Sequence, residues 1–177
     1  MDNALCRMFG IDVPIFAFSH CRDMVVEVSK AGGMGVLGLA RMHPDRVEED
    51  LRWIDAHIGG RPYGVDVLMP TTFDTAAEGE AKHDAEQLFP PKHLAFVREM
   101  LDRAGVPPLP DDEAARIERE LVSSFNFTRA ESTAMIDKAF EHPIKLIVNA
   151  LGSPPPELVQ RAHARGIKVA ALAGAPK

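Results

Sequence analysis

The sequence lacks the features that mark a secreted, membrane-embedded or nucleic-acid-binding protein. Only two of its 177 residues are cysteines, too few for a disulfide scaffold, so we expect free thiols in a reducing compartment. It has no apolar run of about eighteen residues and no basic start leading into an apolar stretch, so we expect neither a membrane span nor a signal peptide. The net charge of −6 offers no basic surface to a nucleic-acid backbone. We therefore expect a cytoplasmic protein that binds neither membranes nor nucleic acids.

Signatures of metal sites and of common hydrolases are also lacking. The seven histidines are scattered, and neither C-x-x-C nor H-E-x-x-H occurs, so we expect no metal ion. The absence of a G-x-S-x-G nucleophile elbow argues against an α/β-hydrolase. What is present is 46% hydrophobic and 26% charged residues, an ordinary composition for one domain with a real core.

Short apolar runs alternate with helical patterns, which is typical of an α/β fold with a parallel sheet. Helices are predicted at residues 22–31, from Pro44 to the Gly59-Gly60 pair, and from the prolines at 154–156 to Gly166. The runs that predict five strands are residues 14–18, 34–39, 63–69, 144–151 and 167–173.

Residues 70–141 interrupt this alternation. They contain helical patterns near 92–104, 112–122 and 129–140, and we interpret them as a helical insertion after strand three of one domain covering 1–177. At about 31 residues per unit of a (β/α)₈ TIM barrel, the rest of the chain holds four units and a fifth strand. The alternatives are an open five-stranded sheet, a flavodoxin-like sheet, or the N-terminal portion of a TIM barrel.

A glycine motif lies at the second strand. Gly33-Met-Gly35-Val-Leu-Gly38 matches G-x-G-x-x-G, but a dinucleotide fingerprint requires a helix that opens within the motif. Here Pro44 begins a helix only six residues later. We favour small residues that let the first predicted helix pack on strand two.

Three positions at predicted strand ends or interiors are candidate site residues. His20 follows strand one and is expected to line a pocket, whereas Cys21 could be a nucleophile, a helix cap or a packing residue. Asp66 is a carboxylate inside an apolar strand, so it should have a partner or a ligand. Asn149 raises the same question more weakly, because an amide carries no charge.

Several of these segments together resemble the nitronate monooxygenase family, also called 2-nitropropane dioxygenases. The resemblance rests on Gly10-Ile-x-x-Pro-Ile15, on the stretch from Val28 to Gly38 with its Ala-Gly-Gly-Met-Gly element, on Pro62-Tyr-Gly-Val-Asp-Val67, and on the strand ending at Gly174. It implies an FMN-containing TIM barrel that oxidises alkyl nitronates or nitroalkanes with O₂. Relatives of the family include flavin-dependent enoyl reductases, which we keep as an alternative.

The resemblance also implies roles for individual residues. It places Ala17, Phe18, Asp66, Ala173 and Gly174 beside FMN, with Asp66 standing where many relatives have an asparagine. His20 and Asn149 would line the substrate pocket.

The family's catalytic histidine, in a Gly-Gly-His segment after strand six, and its phosphate-binding loops have no counterpart among the 177 residues. We therefore expect this chain to be the N-terminal part of such an enzyme and inactive by itself. The other hypothesis is a non-catalytic half-barrel that associates through open sheet edges.

Overall fold

A computed structural model describes residues 3–40, 42–69, 90–124 and 129–174. Within these ranges, five strands alternate with seven helices. In chain order they are α1 (Ala4–Phe9), β1 (Phe16–Ser19), α2 (Arg22–Lys30), β2 (Met34–Gly38), α3 (Pro44–His57), β3 (Tyr63–Val67), α4 (Pro91–Arg103), α5 (Asp111–Ser124), α6 (Arg129–Ala139), β4 (Leu146–Asn149), α7 (Pro156–His163) and β5 (Lys168–Ala171).

The five strands form one parallel sheet whose spatial order is the chain order, β1-β2-β3-β4-β5. A flavodoxin-like sheet has the order 2-1-3-4-5, with a switch point where the winding reverses. That alternative is therefore wrong, because no reversal occurs here. Consecutive order is instead the arrangement of strands in a (β/α)₈ barrel, where each unit adds its strand beside the previous one.

One face of the sheet, which we call the outer face, is covered by helices. Leu37, Val65 and Ile147 project from neighbouring strands into this layer and are completely buried. Burial of such side chains is worth about 1.5–3 kcal/mol each and is the main force that holds the layer together. The helical residues of this core are Val25, Val26, Val47, Leu51, Ile54, Met135, Ile136, Ala139, Leu158 and Ala162.

The opposite face, the inner face, has a smaller apolar cluster near the amino ends of the strands. Met34, Val36 and Leu146 form it together with Cys6 of α1 and with Ile11. Among the helices that the structure describes, α1 is the one that packs on the inner face. Toward the carboxyl ends of the strands, Phe18 and Ala170 on this face are exposed, whereas Gly38 and Asp66 are buried.

The chain separates into two compact units, one made of Met1–Phe73 and Thr128–Lys177, the other of Asp74–Phe127. The first unit holds the sheet. Its α6 packs against α3, with Ile136 completely buried, so the last predicted helix of the insertion belongs to the layer that covers the sheet. In the second unit, no side chain described between residues 90 and 117 is buried. Treating 70–141 as one insertion stays a prediction.

The predicted elements are present, with ends that differ by a few residues. Residues 70–89 and 125–128 of the predicted insertion lie outside the described residues. The helix α1 was not predicted, because six residues are too few to show a period. Local signals for it exist: the Asn3 side chain accepts a hydrogen bond from the backbone N–H of Cys6, and Gly10 ends the helix at φ 69°. Within the described ranges, no helix combines the length and apolar character needed to cross a membrane.

Gly35 lets α2 approach β2 closely, which confirms the packing interpretation for this glycine of the motif. A Cβ at Gly35 would lie 2.6 Å from the Cα of Val25, inside the backbone of α2. The Gly35 N–H also donates a hydrogen bond of 2.9 Å to the buried Ser29 hydroxyl of the same helix. Helix and strand are therefore in contact through backbone, where no rotamer change can make room.

We expect Gly35→Ala to lower the free energy of unfolding by more than about 2 kcal/mol, because the added methyl must push a helix away from the sheet. Urea denaturation followed by circular dichroism measures the change. The matched control is Gly38→Ala on the same strand, where the three atoms nearest to the added Cβ belong to the side-chain rings of Phe18 and His20 rather than to backbone. The control should lower the free energy of unfolding by less than about 1 kcal/mol. Equal losses in the two variants would contradict the explanation.

Candidate functional site

A row of inner-face positions crosses the sheet near the carboxyl ends of its strands. Gly38 of β2 is paired with Asp66 of β3, Asp66 with Val148 of β4, and Val148 with Ala170 of β5. Paired residues of parallel strands point to the same face, so this row lies on the face away from the helices. His20 continues the row beyond β1, because it stands two residues after Phe18, the residue paired with Val36.

Asp66 is the acidic member of this row and is only 6% exposed. Among the described residues, no donor makes a hydrogen bond to its carboxyl group, and the His20 imidazole is the one charged partner that acts on it. Burial raises the pKa of Asp66 to about 6, and His20 acts in the opposite direction. A nearly buried carboxylate with unused acceptor positions fits a ligand that donates a hydrogen bond.

His20 is held against β2 by its ring nitrogen. Its Nδ1 lies 3.0 Å from the Gly38 carbonyl oxygen, which can only accept, so Nδ1–H is the donor, and in the tautomer that makes this bond Nε2 is an acceptor. The Phe18 ring meets the imidazole edge to face, with centroids 5.0 Å apart. Phe18 itself is 58% exposed, so its ring adds an apolar surface beside the two polar groups.

Gly38 creates the space that this group occupies. A Cβ at Gly38 would lie 2.8 Å from Cε1 of His20 and 2.6 Å from Cε2 of Phe18. Strands lie about 4.8 Å apart, so His20 and Asp66 stand on either side of a position without a side chain. Gly38 does not serve helix packing, which was the interpretation of the sequence motif. Its position between His20 and Asp66 follows from the pairing of the strands.

The other predicted site residues do not join this group. Ala17 is paired with Gly35 on the outer face, so only its backbone can serve a ligand on the inner face. Asn149 is also on the outer face, where its carboxamide accepts from the Met69 N–H and donates to the carbonyl oxygens of Met69 and Gly152. It ties together the chain segments that follow β3 and β4, which corrects the expectation that it faces a pocket.

Three further predicted positions lie at the same edge of the sheet. Ala173 and Gly174 follow β5 and are exposed. Cys21 precedes α2, and its thiol points to the carboxylate of Asp23 at 3.6 Å rather than to His20. Among the described residues, no group of three or more histidine, cysteine or acidic side chains is arranged to hold a metal ion.

A curated relative matches nearly the whole chain. The protein named "Putative monooxygenase Rv1533", from Mycobacterium tuberculosis, is 43% identical over 175 residues, which are 98% of this chain and 46% of the relative. The chain thus spans just under half the length of that relative. No family model matches the sequence.

Two solved structures share the fold. A FabK variant from Thermotoga maritima aligns with a TM-score of 0.59 at 13% identity, over 99% of this chain and 40% of the FabK chain. Nitroalkane oxidase from Streptomyces ansochromogenes aligns with a TM-score of 0.58 at 19% identity, over 96% of this chain and 42% of the oxidase chain. The fold is that of part of a (β/α)₈ barrel. The inner face of the sheet corresponds to the barrel interior, and its carboxyl edge to the end where such barrels carry their sites.

We expect Asp66→Asn to stabilise the protein at neutral pH. The folded pKa of Asp66, about 6, exceeds the ordinary value of 3.8, so its contribution to stability is greatest below pH 3.8 and is lost as the pH rises to about 6. At pH 7.5 the variant should gain up to about 3 kcal/mol in the free energy of unfolding. Urea denaturation at pH 4 and 7.5 tests this, since the gain should largely disappear at pH 4. The control is Asp137→Asn, at an exposed position where the carboxylate accepts a hydrogen bond from Arg161. For this variant we expect no comparable gain in the free energy of unfolding.

Proposed function

We propose that this chain forms the flavin-facing part of an FMN-dependent oxidoreductase of the nitronate monooxygenase type, which oxidises alkyl nitronates with O₂. The observation that carries the proposal is the nearly buried Asp66 carboxyl beside His20, on the inner face at the carboxyl edge of the sheet. The similarity to a protein named as a monooxygenase and the fold shared with a nitroalkane oxidase support it.

The residues present fit the ring system of FMN. The oxidised ring has an N–H group that donates a hydrogen bond, and Asp66, 6% exposed, offers carboxylate oxygens that accept one. Phe18 offers an apolar surface close by, and Gly38 removes the side chain that would fill the space between them. Ala173 and Gly174 at the end of β5, and the backbone of Ala17, stay predicted contacts. For the phosphate of FMN, this row of residues offers no cation.

When bound, FMN would supply the electron acceptor for the substrate carbanion. The residues of this chain would orient and solvate the reactants. Asp66 would accept a hydrogen bond, and His20 would present Nε2 to a ligand because Nδ1 is held by the Gly38 carbonyl. Asn149 would act through the backbone it fixes after β3 and β4.

The proposal predicts that flavin binding needs the remainder of the barrel. The 177-residue chain should be co-expressed with the portion of the Mycobacterium tuberculosis relative that it does not match. We expect the combined protein to carry close to one FMN and to consume O₂ with ethyl nitronate, whereas the chain alone should do neither. Flavin absorbance and an oxygen electrode measure the two results.

Asp66→Ala in the combined protein should weaken FMN binding by at least about tenfold, because a charged acceptor is lost from a buried site. The exposed Asp137→Ala is the matched control and should leave binding unchanged. A combined protein that folds without flavin would contradict the proposal, as would stoichiometric FMN on the chain alone. An enoyl thioester with a reduced nicotinamide, tried in place of the nitronate, tests the alternative enoyl reductase activity.

A second candidate function is association without catalysis. Within the described residues, β1 and β5 each have a strand neighbour on one side only. Phe18 on β1 and Leu172 just after β5 are about 60% exposed. Unpaired edges flanked by apolar side chains favour pairing with another chain.

This candidate predicts self-association through the edge of β1. Sedimentation velocity should show oligomers that increase with concentration, and Phe18→Ser should reduce them several-fold by removing exposed apolar surface. Met24→Ser on α2 is the control, since Met24 is similarly exposed but lies on a helix. A monomer at all concentrations, or an equal effect of the two variants, would count against association.

A further inference from the structure

One side of α4 presents large apolar side chains to solvent. They are 44–62% exposed, and at about 100° per residue they fall within an arc of about 140° on the helix: Phe96, Val97, Met100 and Leu101. An apolar stripe of this width is ordinarily buried against another element. None of the described helices and strands packs extensively against α4. In the part of the chain that the structure describes, this side of the helix is therefore open.

The carboxyl end of α4 extends the same apolar surface. The Gly105 N–H donates to the Asp102 carbonyl oxygen at 3.1 Å, and the Val106 N–H donates to the Leu101 carbonyl oxygen at 3.0 Å. With Gly105 at φ 67°, these two bonds form a Schellman turn, which directs the residue after the glycine toward the last turn of the helix. Val106, 47% exposed, therefore continues the surface at Leu101. We call the set the α4 face; its residues are Phe96, Val97, Met100, Leu101 and Val106.

Charged residues without an ion pair lie on α4 and just beyond it. Lys92 is in the first turn of α4 and Arg98 is near its middle, whereas Asp111 and Asp112 begin α5. Within the described residues, none of these four side chains makes an ion pair. The amino end of α4 is thus cationic, and the segment that follows its carboxyl end becomes acidic. Charges in this order complement each other when two copies of α4 run in opposite directions.

We propose that the α4 face is the docking surface for a second copy of this chain, with the two α4 helices packed antiparallel across a two-fold axis. Such an interface is isologous, so each copy covers the α4 face of the other with its own. Antiparallel packing brings Lys92 and Arg98 toward the acidic start of α5 in the second copy, and it sets the two helix dipoles in opposite directions. The inference is independent of flavin binding and concerns a different surface from the edge of β1.

The size of the α4 face suits a dimer that dissociates on dilution. At roughly 90 Å² for each half-exposed large apolar residue, the face presents on the order of 450 Å² per copy. Two copies would cover about 900 Å² of apolar surface before the polar rim is counted, which is the size of a weak specific interface. We therefore expect dissociation when the protein is diluted into the micromolar range.

The opposite side of α4 limits the assembly to two copies. Ala95, Glu99 and Asp102 are exposed there, and two of the three are acidic. This side offers no large apolar side chain for a further copy to cover. A pair of α4 faces thus closes on itself, as a two-fold interface does.

Sedimentation equilibrium of the 177-residue chain tests the proposal. We expect a monomer–dimer equilibrium, and Met100→Ser should weaken the dimer at least about tenfold, because the lost apolar contact occurs twice in a two-fold pair. The matched control is Leu151→Ser after β4, since Leu151 is 49% exposed and Met100 is 48% exposed. The control should leave the equilibrium unchanged. Circular dichroism verifies that both variants fold.

Charge reversal tests the antiparallel arrangement. One variant combines Lys92→Glu with Arg98→Glu, and the other combines Asp111→Lys with Asp112→Lys. At low salt, each variant alone should dimerise at least about tenfold more weakly than the original, because like charges then face each other. An equimolar mixture should recover the original affinity, since a mixed dimer has opposite charges at both contacts. A mixture that dimerises no better than the separate variants would overturn the proposal.

Cross-linking supplies a second readout. In a Cys21→Ser background, Val97→Cys near the two-fold axis should give disulfide-linked dimers on mild oxidation, whereas Ala95→Cys on the opposite side of the helix should give at least about tenfold fewer. Equal cross-linking at the two positions would overturn the proposal, as would a monomer at all concentrations or equal effects of Met100→Ser and Leu151→Ser. Dimers that Phe18→Ser removes and Met100→Ser leaves intact would place the contact at the edge of β1 and overturn it as well.

Discussion

Sequential pairing of five parallel strands places the packed helices α2, α3, α6 and α7 on one face of the sheet, and the rest of the structure depends on this constraint. The outer face can be filled with large apolar side chains such as Leu37, Val65 and Ile147, because helices exclude water from it. Among the residues that the structure describes, α1 is the helix that packs on the inner face, near the amino ends of the strands. The carboxyl edge of that face has Gly38, Asp66 and His20 with the Phe18 ring beside them, and this is where the proposed ligand would bind.

Asp66 shows a conflict between stability and function at this edge. A valine or leucine in its place would pack without losing hydration, whereas a carboxylate loses water and gains no hydrogen bond within the described residues. Residues that are unfavourable for folding and yet poised for chemistry are typical of functional sites. Asp50 is a useful contrast, since it is equally buried but is neutralised by Arg22 and Arg46. The two aspartates differ in whether a cationic side chain pairs with the carboxylate, and the residue type alone does not show this.

The share of the similar barrels that the chain covers can be compared with the groups that its candidate site holds. The chain covers about two fifths of the solved barrels and just under half of the curated relative. Its row of residues offers an apolar ring, a carboxylate and an imidazole, and lacks a cation for a phosphate. A (β/α)₈ barrel site draws its groups from several strand ends around the ring, and this chain has five such strand ends.

The alternation of apolar runs with helical periods was enough to predict the number of the strands and their positions in the chain, because these depend on local patterns of burial. The order of the strands in the sheet was decided by the tertiary structure. It also singled out Asp66, since a charge inside an apolar strand is anomalous wherever the strand lies. The sequence could not predict which face of the sheet the side chains of Ala17 and Asn149 point to, because a shift of one residue along the strand reverses the face. The meeting of His20 with Asp66 across Gly38 was decided by tertiary structure alone. These residues are 18 and 28 positions apart in the chain, and only the packing of helices between the strands sets the register that brings them together.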